Sequence, residues 1–266
     1  MSLASIVWDV QPEIFPGTAV PVRWYGLLFA LGFFIGYELL KRMFKREGYP
    51  VEWTDSALIY CMVGTIIGAR LGHVFFYDWA EYKQDPIQIL MIWKGGLASH
   101  GAVIGIITAM YFLNKQVIKK SVLWILDRVV ITIAQAGVLI RLGNLMNSEI
   151  YGKPTGSDWG FIFVRSDEYQ LPRYPTQLME AAGYLLIFFF LWYAYRKWEY
   201  GRYQGRLFGY FLLLIFGVRF AMEFIKENQV AFEDQLPLNM GQWLSIPCML
   251  GGLWFIYRSS KSEQVA

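Results

Sequence analysis

Seven mainly apolar stretches, at approximately 22–40, 56–77, 96–113, 121–140, 175–195, 206–225 and 239–257, recur along the 266-residue chain. A helix satisfies its backbone hydrogen bonds internally and needs about 20 such residues to cross a hydrocarbon core, so the pattern restricts the architectures open to the chain. The predicted fold class is an all-α integral membrane protein of about seven transmembrane helices, forming a single multi-span domain over residues 1–266. The charged fraction of 17% supports this, since soluble domains carry about 25%. The net charge of +3 is scattered between apolar blocks, which argues against nucleic-acid binding. Cys61 and Cys248 lie far apart inside apolar runs and offer neither metal-ligand spacing nor a disulfide framework. The first residues, MSLASIVWDVQPEIF, lack a basic start and carry Asp9 and Glu13, so no cleavable signal peptide is expected.

Basic residues set the expected orientation. The connections after the first, third and fifth spans, with the tail, hold thirteen lysines and arginines, against eight on the opposite side, spread over longer connections. The positive-inside rule then places the N-terminus outside and the C-terminus in the cytoplasm. The longest connection, roughly 141–174, falls on the outer side and is expected to fold as a polar cap between the fourth and fifth spans. Glycines four apart, such as Gly64, Gly68 and Gly72 or Gly101 and Gly105, predict close helix packing.

Ionisable groups at membrane depth are costly, so each is a candidate for function or for structural pairing. Arg141 closes the fourth apolar run, with Asn144, Asn147 and Glu149 just behind. On a continuing helix Arg141 and Asn144 share a face, and a guanidinium beside amide donors suits a phosphate. An arginine snorkelling to the interface is the alternative. His100, among Ser99, Gly101 and Ala102 at the start of the third span, has the chemistry of a general base or of a hydrogen-bonded structural residue. Arg219 and Glu223, four apart on the sixth span, suit an ion pair or a second positive charge in the same cavity. Arg70 with Glu38, and Asp127 beside Arg128, are expected to be interhelical pairs, and His73 to be structural. Tyr25 stands at the outer start of the first span, where an interfacial aromatic is ordinary.

These residues sit in motifs. RLGNLMNSEIYG, from Arg141 to Gly152, matches R-x-G-N-x-x-N-x-E-x-x-G; RWYG, GARLG, SHGA, PTQLME, VRFAMEF and GQWLSIP accompany it in order. Over nearly the whole chain the sequence resembles the bacterial prolipoprotein diacylglyceryl transferases. The resemblance implies transfer of the diacylglyceryl group of phosphatidylglycerol to the lipobox cysteine of a prolipoprotein signal peptide, at the inner membrane. It implies catalytic roles for His100, Arg141 and Arg219, and lipid binding by Arg141, Asn144, Tyr25, Asn147, Glu149, Gly152 and Glu223. No metal or other cofactor is expected. Against the family pattern, Ser148 replaces a usual glycine, His73 a usual tyrosine, Ile215 a frequent tyrosine and Lys226 a frequent arginine. A small secondary transporter is the rival reading, since charges within spans also mark ion paths.

Overall fold

The computed structural model describes residues 5–17, 22–92, 95–96, 98–227 and 237–261. Leu97, inside the third apolar stretch, and Lys94, among the outer basic residues, lie outside them. The chain is mostly helical: α1 is Trp24–Glu47, α2 Glu52–Phe76, the short α3 Trp79–Tyr82, α4 Ser99–Leu113, α5 Val122–Met146, α6 Thr176–Lys197, α7 Arg206–Met222 and α8 Met240–Ser260. Each of the seven apolar stretches lies in one long helix. Among the described residues, Glu52–Phe76, His100–Ile118, Val122–Met146 and Thr176–Lys197 are long and apolar enough to cross a membrane. With large apolar side chains such as Phe34, Ile59 and Leu186 facing outward, the protein is a helical membrane protein.

The chain divides into two compact units, Met1–Gly36 with Asp127–Ala266, and Tyr37–Leu126. In the second unit, α2 and α4 meet backbone to backbone. A Cβ on Gly68 would stand 2.4 Å from the Gly101 carbonyl oxygen, and one on Gly72 would stand 2.6 Å from the Gly101 Cα. The absence of side chains is therefore what lets the seam form, as the glycine spacing predicts. Away from the seam, Phe44, Tyr49, Trp53 and Trp124 pack in edge-to-face and stacked pairs 5.0–6.3 Å apart.

In the first unit α6, α7 and α8 pack around Leu191 and Leu207, and Gly209 lies against the backbone of Gly252. Of two expected ion pairs, Asp127 keeps the charge of Arg128 beside it, while Arg70 and Glu38 take other partners. Asp127 is fully buried and accepts hydrogen bonds from the Gly205 and Phe208 amides at 2.7 and 2.8 Å, so it closes the start of α7. Gly205, with φ of 85°, supplies the left-handed turn at that start, a role its spacing from Gly209 does not reveal. In the second unit Arg70 donates to the carbonyls of Gln88, Ile89, Gly95 and Gly96 in place of a pair with Glu38. Glu38 stands 4.0 Å from Lys41 instead. Both cysteines are free.

The connection between α5 and α6 is folded. Its strand β2, Phe161–Phe163, pairs in parallel with β1, Ile6–Trp8, in the register Ile6 to Phe161. Arg165 pairs with Asp9 at 2.7 Å, and the Trp8 indole donates to the Leu145 carbonyl at 3.0 Å. The N-terminal segment thus gives the Leu145 carbonyl a second donor beside the Ser148 amide, which lies 2.9 Å away.

Candidate active site

Helix α5 runs past the apolar stretch to Met146, so Arg141 and Asn144 lie on one helical face, as the spacing predicts. Arg141 Nη1 donates to Asn144 Oδ1 at 2.9 Å. Asn144 Nδ2 and Asn147 Nδ2 both donate to Glu149 Oε1, at 2.9 and 3.2 Å. The turn that brings Glu149 back to the helix is strained: Ser148 and Ile150 have φ of 54° and 58°. For a β-branched residue this is rare, and such conformations cost on the order of 1–3 kcal/mol each. The turn is braced by Gln177 and Thr176 of α6, which donate to the carbonyls of Glu149 at 2.7 Å and Ile150 at 2.9 Å.

Glycines of the motif make room for the neighbours. A Cβ on Gly143 would stand 2.8 Å from the Tyr25 ring, so Tyr25 lies flat on α5 one turn from Asn147. Gly152 donates to the Tyr174 carbonyl at 2.9 Å, and a Cβ there would meet Tyr174 and the Ile225 carbonyl within 2.8 Å. Through this bridge the folded connection is stitched to the segment that follows α7.

Beneath the asparagines the cluster becomes ionic. Arg141 Nε lies 2.8 Å from Glu180 Oε2, with its N–H not aimed at the oxygen, so charge more than hydrogen bonding holds this contact. Glu180, on α6, is wholly buried; its Oε1 accepts from Lys226 Nζ at 3.1 Å. Lys226 Nζ also donates to Glu223 Oε1 at 3.2 Å, and Glu223 Oε2 accepts from Asn239 Nδ2 at 3.0 Å. Asn239 caps α8, where Gly241 leaves space for the Glu223 carboxylate. Arg219 Nε stands 4.0 Å from Glu223 Oε1, a loose contact compared with the one to Lys226. The expected Arg219–Glu223 pair is therefore present but secondary.

The structure brings Tyr25, Arg141, Asn144, Asn147, Glu149, Gly152, Arg219 and Glu223 together in the first unit. His100 belongs to the second unit, in the first turn of α4. There the rings of Phe76 and Tyr77 lie 5.0 and 5.7 Å from its own, and its neighbour Gly101 forms the tight seam with α2. His73, one helical turn from Tyr77, pairs with Asp78 at 2.8 Å and fills a structural place at the end of α2.

Glu180 and Lys226 are the residues that motif reading did not single out. Glu180 carried a signal, being a carboxylate inside the apolar α6, whereas Lys226 registered only as a departure. A second buried pair lies in the folded connection: Arg173 donates to both oxygens of Asp167, at 2.6 and 2.8 Å, and to Glu227 at 2.8 Å. The Arg173 guanidinium holds the Asp167 carboxyl below its ordinary 3.8. Among the described residues no cluster of three histidines, cysteines or carboxylates could hold a metal.

Arg141, set between the buried Glu180 carboxylate and the Asn144 amide at the end of an apolar helix, marks a helical membrane protein that keeps paired charges at a helix end. The chain belongs to the prolipoprotein diacylglyceryl transferase family, whose model matches residues 12–258, and it is a transferase. It is 45% identical to the phosphatidylglycerol–prolipoprotein diacylglyceryl transferase of Chloroherpeton thalassium, covering 98% of this chain and 96% of the relative. The proteins of that name from Porphyromonas gingivalis and Tolumonas auensis are 46% and 43% identical, each over 97% of this chain and 96% and 99% of their own.

Proposed function

We propose that this protein moves the diacylglyceryl group of phosphatidylglycerol onto the thiol of the lipobox cysteine in a prolipoprotein signal peptide. The thiol loses its proton to His100, its sulfur attacks the glyceryl carbon bearing the phosphate, and the carbon–oxygen bond to phosphate breaks as the thioether forms. Glycerol phosphate departs with the bonding pair. A free thiol titrates near 8.5, so a base beside it raises the thiolate fraction at neutral pH. Arg141 and Arg219 hold the phosphate and the charge it gains, the role for which preorganised cations are most effective. Asn144, Asn147 and Glu149 keep Arg141 in place, Tyr25 packs at the rim, and Gly152 and Glu223 close the cluster against the segment after α7.

The Arg141–Asn144–Glu149 network, with Arg141 set against the buried Glu180, is the observation that carries this reading. A snorkelling arginine would meet water, whereas Arg141 meets the Glu180 carboxylate, which has no exposure. In the bacterial inner membrane we place seven spans, with the N-terminus and the folded connection outside and the C-terminus in the cytoplasm. The basic connections after α1, α4 and α6 support that orientation.

The test combines purified protein in detergent, phosphatidylglycerol and a synthetic peptide ending a signal sequence in a lipobox cysteine. Mass spectrometry should show a diacylglyceryl gain on the cysteine with wild type, with glycerol phosphate released. Arg141→Ala and His100→Ala, each checked for folding by a thermal melt, should lose it. No gain with wild type, under conditions where the Chloroherpeton relative works, would overturn the reading; ion uptake into liposomes would then address the transporter.

A further inference from the structure

Glu180 joins the Arg141 side and the Lys226 side of the cluster described above, and it divides its two oxygens between them. Its Oε2 faces Arg141 and its Oε1 faces Lys226, with no exposure to water. Lys226, itself 2% exposed, also takes Oε1 of Glu223, the same oxygen that lies 4.0 Å from Arg219. One ammonium therefore stands between the two carboxylates that would otherwise draw on the two arginines.

We infer that Lys226 is a positioning residue for the lipid phosphate: by sharing the charge of Glu180 and Glu223, it leaves Arg141 and Arg219 with positive charge to offer the phosphate. This rests on the activity proposed above. In the cluster three cations, Arg141, Arg219 and Lys226, face three carboxylates, Glu149, Glu180 and Glu223. Without Lys226 the carboxylates exceed the cations. In a buried site, Glu180 and Glu223 would then satisfy themselves on the arginines, because an unpaired buried carboxylate is costly. The arginines would remain in place and be neutralised where the phosphate has to bind. Lysine serves here as a compact point charge able to reach two carboxylates at once, a task that does not use the planar fork of arginine. An arginine at 226 would carry the same charge, so the function survives that replacement while it does not survive a neutral one.

The experiment uses the full chain in detergent and measures two quantities for wild type, Lys226→Gln and Lys226→Arg: equilibrium binding of phosphatidylglycerol, and transfer kinetics with lipid and peptide varied separately. Lys226→Gln should weaken lipid binding and raise the lipid KM by about tenfold or more, with the peptide KM unchanged, and Lys226→Arg should restore both. Equal lipid binding by wild type and Lys226→Gln would overturn the inference, as would a loss in both KM values and in thermal stability that Lys226→Arg does not rescue. If wild type binds lipid and transfers nothing, the proposed activity fails while the binding comparison still reads Lys226. Should Lys226→Gln alone not fold, Glu223→Gln is compared with the double variant Glu223→Gln/Lys226→Gln. Weaker lipid binding by the double variant supports the charge-sharing role, and equal binding overturns it.

Discussion

The end of α5 and the α2–α4 seam solve opposite problems. At the seam, two helices touch because glycines remove everything that stands between their backbones. At the end of α5, charged side chains are retained and each is surrounded by partners. The seam tolerates no added atom, whereas the cluster tolerates no removed charge. Stability in an apolar solvent can thus come from deletion or from complete pairing, and only the second leaves groups able to meet a ligand.

That contrast can be broken most severely at Glu180. Glu180→Ala would take from Arg141 its nearest carboxylate and from the buried Lys226 one of its two, at a cost of about 3–5 kcal/mol, read as a large drop in melting temperature together with lost transfer. Arg141→Ala should lower turnover by roughly 10²–10³-fold, the usual loss when one stabilising donor is removed, measured by mass spectrometry of the peptide. Gly68→Ala tests the other side: the added carbon would meet the Gly101 carbonyl at 2.4 Å, so a destabilisation of about 1–3 kcal/mol is expected in a thermal melt. If Gly68→Ala melts like wild type, the seam is not the rigid contact described. Ser148→Gly should act in the opposite direction. Ser148 holds a left-handed conformation, and its buried hydroxyl has no partner among the described residues, so glycine should stabilise by up to about 1 kcal/mol.

The smallest effect is one of pH, outside the spans. Because Arg173 holds the folded-state Asp167 carboxyl below 3.8, its contribution to stability is present above 3.8 and fades as pH falls through the lower folded value. The melting temperature should decline over that acidic window, and less so in Asp167→Asn, which starts lower. Equal acid sensitivity of the two would remove Asp167 as the cause.

Local spacing made the long helices and the motif side of the cluster legible. Apolar runs mark helices regardless of what they pack against, and Arg141 and Asn144 share a face by helical geometry alone, while Glu149 returns to them through the turn at Ser148. What the sequence hides is the choice of partner across distance. Asp127 feels the charge of Arg128 as expected and also closes a helix that starts at Arg206; Arg70 was expected to meet a carboxylate and takes up backbone carbonyls. In both cases backbone groups distant in sequence are the partners, and periodicity carries no record of where such groups end up. The link from Glu180 to Lys226 is hidden in the same way, since it joins α6 to the segment after α7.

The parallel pairing of Ile6–Trp8 with Phe161–Phe163 has a consequence for biosynthesis. The N-terminal strand leaves the ribosome first, yet its hydrogen-bonding partner is made only after α5 is complete. Strand β1 must wait unpaired while most of the chain emerges, and Lys226 and Asn239 arrive later still. Completion of the charged cluster is therefore among the last steps in building the protein, and a chain truncated before α7 would hold the complete signature motif while lacking the ammonium and the cap that join it.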